Sequence, residues 1–197
     1  MSEPRRLVVA ITGASGAVYG ARMLQVLHAT PDIETHLVVS GAGWQNLDHE
    51  QGLGRASVQG MAHRVHDVNN LAAPIASGSF RCSGMVIAPC SMRTLAAVAI
   101  GMGDNLITRT ADVMLKERRR LVLMVRESPL NLAHLRNMVS ATEAGAIVCP
   151  PAPAFYLRPQ SVAEIVDNSI ARVLDLLDVP HSLCARWEGL AAAHCGG

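Results

Sequence analysis

The chain has 197 residues, half of them hydrophobic and 17% charged, with a formal net charge of +1. Such a length suits one domain with a sizeable core, and so small a charge offers none of the basic field that nucleic-acid binding uses. No apolar run is long enough to span a bilayer, and residues 1–6 lead straight into a strand rather than forming a signal peptide.

The first element is Leu7-Val8-Val9-Ala10-Ile11, an apolar run that reads as a strand buried on both faces. It stops at Gly13-Ala14-Ser15-Gly16 and passes into a helix in which Val18, Met23, Leu24, Val26 and Leu27 recur at roughly helical spacing. Strand, glycine turn and helix form an anion site in open α/β sheets, with free amides and the helix dipole facing a phosphate. Ser15 sets a hydroxyl at its mouth. The spacing Gly13-x-x-Gly16-x-x-x-Gly20 is neither a dinucleotide fingerprint nor a P-loop. A second strand over 35–40 ends in Ser40, where a dinucleotide enzyme usually carries a ribose-binding acid; Glu34 begins that strand, at the wrong end of the sheet. A mononucleotide phosphate fits better than NAD.

Residues 41–47 are weakly patterned and are expected as a helix, and 61–67 as holding a short strand. Residues 69–80 have the composition of a loop. A third strong strand, 84–89, opens through Cys90-Ser91-Met92-Arg93-Thr94 onto a helix over 95–100, with Ser91 at the N-cap and Thr94 in the first turn. Residues 105–108 lead into a helix over 109–118, followed by a strand over 121–125 that ends in Arg126-Glu127. A helix over 131–141, a strand over 146–149, a proline-rich stretch to Tyr156 and an amphipathic helix over 162–177 complete the pattern. Strands alternating with helices predict a single-domain, doubly wound α/β fold, a Rossmann- or flavodoxin-like parallel sheet with helices on both faces. The core spans about 5–178 of the 1–197 domain, with a C-terminal tail over 179–197.

Five cysteines without a C-x-x-C pair read as reduced thiols in a cytoplasmic protein, Cys90 and Cys149 as core residues. His63 and His66 read as solvated surface histidines rather than metal ligands. A charged fraction below the usual value of about 25% implies apolar surface hidden against copies of the same chain.

In sheets of this kind ligands bind beyond the carboxyl ends of the strands, and there the polar residues collect: Ser15, Ser40, Ser91 with Thr94, and Arg126 with Glu127. Hydroxyls and amides suit a phosphate or a flavin edge, and Arg126 can donate two parallel hydrogen bonds. Arg109, Asp112 and Lys116 share one helix face. Residues 118–120 read as a solvated helix end. Arg172, in an otherwise apolar helix, is either a snorkelling surface cation or a ligand group.

In order along the chain, Gly13-Ala14-Ser15-Gly16-Ala17, Ser77-Gly78-Ser79, Pro89-Cys90-Ser91-Met92-Arg93-Thr94-Leu95, Arg109-x-x-Asp112-Val113-x-Leu115-Lys116-Glu117, Val125-Arg126-Glu127 and Pro150-Pro151-x-Pro153-Ala154-Phe155-Tyr156 resemble the UbiX-type flavin prenyltransferases, within the flavin-binding Cys-decarboxylase-like class. Pro89-Cys90-Ser91-Met92 stands where the cysteine decarboxylase branch has Pro-Ala-Ser-Ala-Asn. The resemblance implies transfer of a dimethylallyl group from dimethylallyl phosphate to N5 and C6 of reduced FMN, without a metal. The product, prenylated FMN, would serve a UbiD-type decarboxylase. Carried over by position, FMN would be held by Gly13, Ala14, Ser15, Ser40, Ser91, Met92, Arg93, Thr94 and Arg126. The donor phosphate would meet Arg109, Lys116, Tyr156 and Arg172, with Lys116 also catalytic, and Glu127 with Ser15 would move protons. The family usually forms trimers assembled into dodecamers.

Two positions depart from the family pattern. Leu71 stands where many members have Trp, and residues 41–44 lack the Lys common after the second strand. The ending Arg186-Trp187-Glu188-Gly189-Leu190 is similar to the tail of members associated with phenolic-acid decarboxylases. Two alternatives stand beside the transferase: an FMN-dependent aromatic-acid decarboxylase subunit and a non-catalytic flavin carrier.

Overall fold

The computed structural model describes residues 4–187 and residue 189. Cys195, Glu188 and Leu190, all in the expected tail, lie outside the described residues. Six strands form one parallel sheet: β1 (Arg5–Ile11), β2 (Ile33–Val39), β3 (Arg64–His66), β4 (Gly84–Cys90), β5 (Arg120–Val125) and β6 (Ile147–Val148). Their spatial order is β3-β2-β1-β4-β5-β6, and Val9 at the centre pairs with Leu37 on one side and Val86 on the other. The chain therefore works outward from β1 to β3, returns across the sheet, and works outward again from β4. At the β1/β4 boundary the outgoing connections diverge and leave a crevice beyond the strand ends.

Side chains alternate across a strand, so β1 feeds two cores. Leu7, Val9 and Ile11 pack with α1 (Ala17–His28), α2 (Gly41–Gln51) and α7 (Val162–Leu176) through Leu24, Leu47 and Ile170. Val8 and Ala10 face α4 (Met92–Ala99), α5 (Leu106–Lys116) and α6 (Leu132–Glu143) through Leu95, Met114 and Ala141. The short α3 (Arg55–Gln59) adds Val58 to the first core. This is the doubly wound sheet that the alternation predicts.

Specific contacts hold the crevice in shape. Thr12 donates its hydroxyl to the Pro89 carbonyl at 2.7 Å and accepts the Ser91 amide at 2.8 Å, tying the ends of β1 and β4 together. Gly20 lets α1 lie directly on the sheet: a β-carbon there would overlap the Ala88 carbonyl oxygen and come within 2.7 Å of the Ile11 side chain. Helix α5 starts three residues earlier than expected, because Asn105 and Thr108 form a reciprocal capping box around its first turn. It stops at Lys116 because Arg118 takes a left-handed conformation, φ 56°.

Two expectations about charged surface are corrected. Arg119 is not a solvated helix end: its guanidinium turns inward and donates to the Phe80 and Gly78 carbonyls at 2.7 Å each. Arg120 begins β5 rather than ending a helix; it stays exposed while donating to the Leu176 carbonyl and pairing with Asp178. Nor is His66 on β3 simply solvated, although His63 just before the strand is exposed. His66 contacts the buried His36 ring at 2.9 Å, and His63 Nδ1 lies 2.9 Å from the Thr35 hydroxyl.

Candidate active site

The ends of β1, β2 and β4 open onto a cleft of about 520 Å³, bordered by Gly13, Ser40, Ser91, Arg93 and Thr94. Ser40 is the N-cap of α2 and accepts the Gly43 amide at 3.0 Å; Ser91 is the N-cap of α4 and accepts the Thr94 amide at 3.3 Å. Two helices thus aim their positive ends into one concavity, an arrangement suited to an anionic group. Gly13 permits it, since a β-carbon there would lie 2.5 Å from the Ala42 side chain and push α2 away from the β1 loop. Ala14 is buried behind the turn, its carbonyl accepting from Asn46 at 2.8 Å. Met92 begins α4, and Arg93 is exposed and paired with Asp104 across the cleft mouth.

At α1 the structure differs from the anion seat read in the sequence. The Gly16 and Ala17 amides are not free: both donate to one oxygen of Glu50, at 2.9 Å each. Burial pushes the Glu50 carboxyl up, but those two amides, the Ser15 hydroxyl and the Arg126 charge together hold it below the usual carboxylate range. The anion at the N-terminus of α1 is therefore the protein's own side chain. Residues 41–51 carry little amphipathic pattern, and nothing local marks Glu50; only the folding of α2 against α1 brings it to Ser15.

The Arg126 amide donates to the Cys90 carbonyl at 3.2 Å, which sets the residue beside the crevice. Its charge also reaches Tyr19, whose phenol burial pushes up while Arg126 and the Ser169 hydroxyl oppose. Glu127 follows at the surface, one carboxylate oxygen accepting the Ser128 amide at 3.0 Å. Ser15, Glu50, Tyr19 and Arg126 are thereby gathered around the start of α1.

The four residues expected on the donor phosphate divide into two places. On α5, Arg109 pairs with Asp112 at 2.8 Å and donates to the Ala76 carbonyl at 3.2 Å, and Lys116 pairs with Glu117 at 2.7 Å. Tyr156 and Arg172 line a separate cavity of about 610 Å³ beyond β5 and β6, and no described residue of α5 lines it. Arg172 also lies close enough to Cys149 to offset part of the rise that burial causes in that thiol. Among the described residues, no group of three or more His, Cys, Asp or Glu side chains is arranged to hold a metal ion.

The Flavoprotein family model matches residues 1–187. The flavin prenyltransferase UbiX of Escherichia coli K12 is 52% identical over 187 residues, covering 94% of this chain and 99% of that protein. The Neisseria meningitidis serogroup B protein of the same name is 54% identical over 187 residues, covering 95% and 98%. The chain belongs to the UbiX flavin prenyltransferase family. The family fold agrees throughout. The crystal structure of AnUbiX (PadA1) in complex with FMN and dimethylallyl pyrophosphate aligns with a TM-score of 0.92 at 49% identity, covering 94% of this chain and 98% of that one. A dodecameric FMN-dependent UbiX-like decarboxylase from Escherichia coli O157:H7 aligns at 0.91 with 44% identity, covering 93% and 100%.

Proposed function

We infer that this chain is a flavin prenyltransferase, one flavoprotein domain that transfers a dimethylallyl group from dimethylallyl phosphate to N5 and C6 of reduced FMN. The observation that carries the reading is the convergence of the α2 and α4 N-termini on one flavin-sized cleft, in a chain about half identical to UbiX proteins along nearly its whole length. Reduced FMN supplies the nucleophilic ring atoms. The chain supplies binding, orientation and proton handling. In this reading Gly13, Ala14, Ser15, Ser40, Ser91, Met92, Arg93, Thr94 and Arg126 hold the flavin. Arg109, Lys116, Tyr156 and Arg172 gather on the donor phosphate, where cations spread the leaving group's charge without a metal ion. Glu127 and Ser15 hold or move the protons of ring closure. The link from Ser15 to Glu50 gives that hydroxyl a carboxylate partner.

The division of the cations supports an assembly in which one copy's Arg109 and Lys116 meet another's Tyr156 and Arg172. Apolar surface for such contacts is present. Leu132, Leu135 and Val139 stand exposed along α6, with Leu130 before it and Ile100 and Met102 beyond α4. We propose a homo-oligomer, trimeric or dodecameric, and a UbiD-type decarboxylase as recipient of the prenylated flavin. No helix among the described residues is long and apolar enough to cross a membrane, and we place the enzyme in the cytoplasm.

Glu127→Gln tests the catalytic assignment, with FMN retained and turnover lost as the expected result. Wild-type turnover in that variant would remove Glu127 from the mechanism and favour a flavin carrier. Co-refolding Lys116→Ala with Arg172→Ala tests the shared site. Mixed assemblies recover part of the activity if sites are built between copies, and none if each copy carries a whole one.

A further inference from the structure

The cavity containing Tyr156 and Arg172 is closed on one side by residues 181–187, which return across α7 after the helix has ended. A carboxylate on α7 ties this segment down. Asp175, one helical turn beyond Arg172 and lining the same cavity, accepts from Arg186 at 2.8 Å and contacts His181 Nε2 at 3.1 Å. His181 is almost fully buried, and its Nδ1 accepts the Leu183 amide at 3.4 Å, so Nε2 carries the proton that Asp175 receives. Leu183 anchors the segment in the α1/α7 core. At its far end Trp187 meets Tyr156 edge to face, with ring centroids 5.4 Å apart and planes at 83°. Charge-assisted hydrogen bonds of this kind are the stronger class, and here two converge on one group. Nothing in the flavin or phosphate roles assigned above uses Asp175, His181 or Arg186.

We propose that Asp175 is a positioning residue for the donor. It latches residues 181–187 over the cavity, so that Trp187 braces Tyr156 and the prenyl donor is enclosed against Arg172. This rests on the transferase reading for the identity of the donor. It also places two functions on one face of α7: Arg172 toward the donor phosphate, and Asp175 toward the segment that covers it.

The chain has two tryptophans, Trp44 on α2 and Trp187. In a Trp44→Phe background, fluorescence therefore reports the latch alone. Asp175→Ala is expected to red-shift Trp187 emission and raise its quenching by acrylamide. It should weaken the dissociation constant and KM for dimethylallyl phosphate about ten- to hundredfold, the scale of lost charge-assisted hydrogen bonds. FMN affinity should hold and kcat should change far less. Asp175→Glu should restore most of the donor affinity, and Arg186→Ala, which leaves α7 untouched and removes the more exposed of the two bonds, should give a smaller shift in the same direction. Unchanged Trp187 emission in both alanine variants would overturn the latch. A released Trp187 with unchanged donor affinity would overturn its role toward the donor. A wild-type protein that binds the donor without prenylating FMN would count against the transferase reading, while the binding constants of the variants still decide the latch.

Discussion

The buried histidine of β2 extends the pH dependence of the chain's stability upward from the carboxylate range to about 6.5. His36 is 4% exposed, its ring nearly coplanar with that of His66 and met edge-on by Phe80. Its Nε2 lies 3.2 Å from Glu34, which as a carboxylate can only accept, so Nε2 carries the proton and Nδ1 receives one from His66. Burial, with the neighbouring His66 adding to it, pulls His36 from 6.5 down to about 4, against the opposing pull of Glu34. A base whose folded pKa is depressed stays neutral in the fold while the unfolded chain takes up a proton. Stability is therefore present in full above 6.5, falls as pH drops from 6.5 toward 4, and loses no more to this group below that. At 1.36 kcal/mol per pKa unit, the loss is about 2 kcal/mol by pH 5 and about 3 kcal/mol in all. That is a large share of the roughly 5–15 kcal/mol that holds a typical domain together. His66, also held down by burial, contributes with the same sign. Urea unfolding at fixed protein concentration, from pH 7.5 to 4.5, should show this slope. His36→Gln, which keeps a polar partner for Glu34 but cannot titrate, should flatten most of it. A wild-type curve that is level between pH 7 and 5, or a slope unaltered in His36→Gln, would show that His36 does not set the pH dependence.

Two further substitutions test the packing that shapes the site. Gly20→Ala forces a methyl into the Ala88 carbonyl and Ile11; the expected cost is about 1–3 kcal/mol, seen as a fall in Tm of several degrees together with weaker FMN binding as α1 is pushed off β4. Thr110 lies on the inner face of α5 with a buried hydroxyl that has no hydrogen-bond partner among the described residues. Thr110→Val keeps the shape and removes the unmet group, so denaturant unfolding should show a gain of about 1 kcal/mol with activity unchanged.

The fold was legible because its strands are apolar runs buried on both faces, and such runs announce themselves without tertiary information. The Ser91 cap was legible for a similar reason: it accepts the Thr94 amide three residues on, so the local sequence holds the whole motif. Glu50 was not, because its partners Gly16 and Ala17 lie more than thirty positions away and α2 has little periodicity to betray which face it buries. His36 sits inside an apolar strand, where only the folded sheet brings Glu34, His66 and Phe80 around it. Arg119 looked like one of three solvated arginines until the left-handed turn at Arg118 pointed it at the Gly78 and Phe80 carbonyls. Arg109 with Lys116, and Tyr156 with Arg172, were grouped by chemistry. One chain keeps the pairs apart, and spacing along a sequence carries no information about which copy meets which.

Prenyl transfer is read out by incubating the purified protein anaerobically with reduced FMN and dimethylallyl phosphate, and weighing the released flavin by mass spectrometry. The expected product is a flavin heavier by one prenyl unit, formed without added metal and lost in Lys116→Ala. Recovery of FMN at its original mass, from wild-type protein that has bound both compounds under reducing conditions, would contradict prenyl transfer.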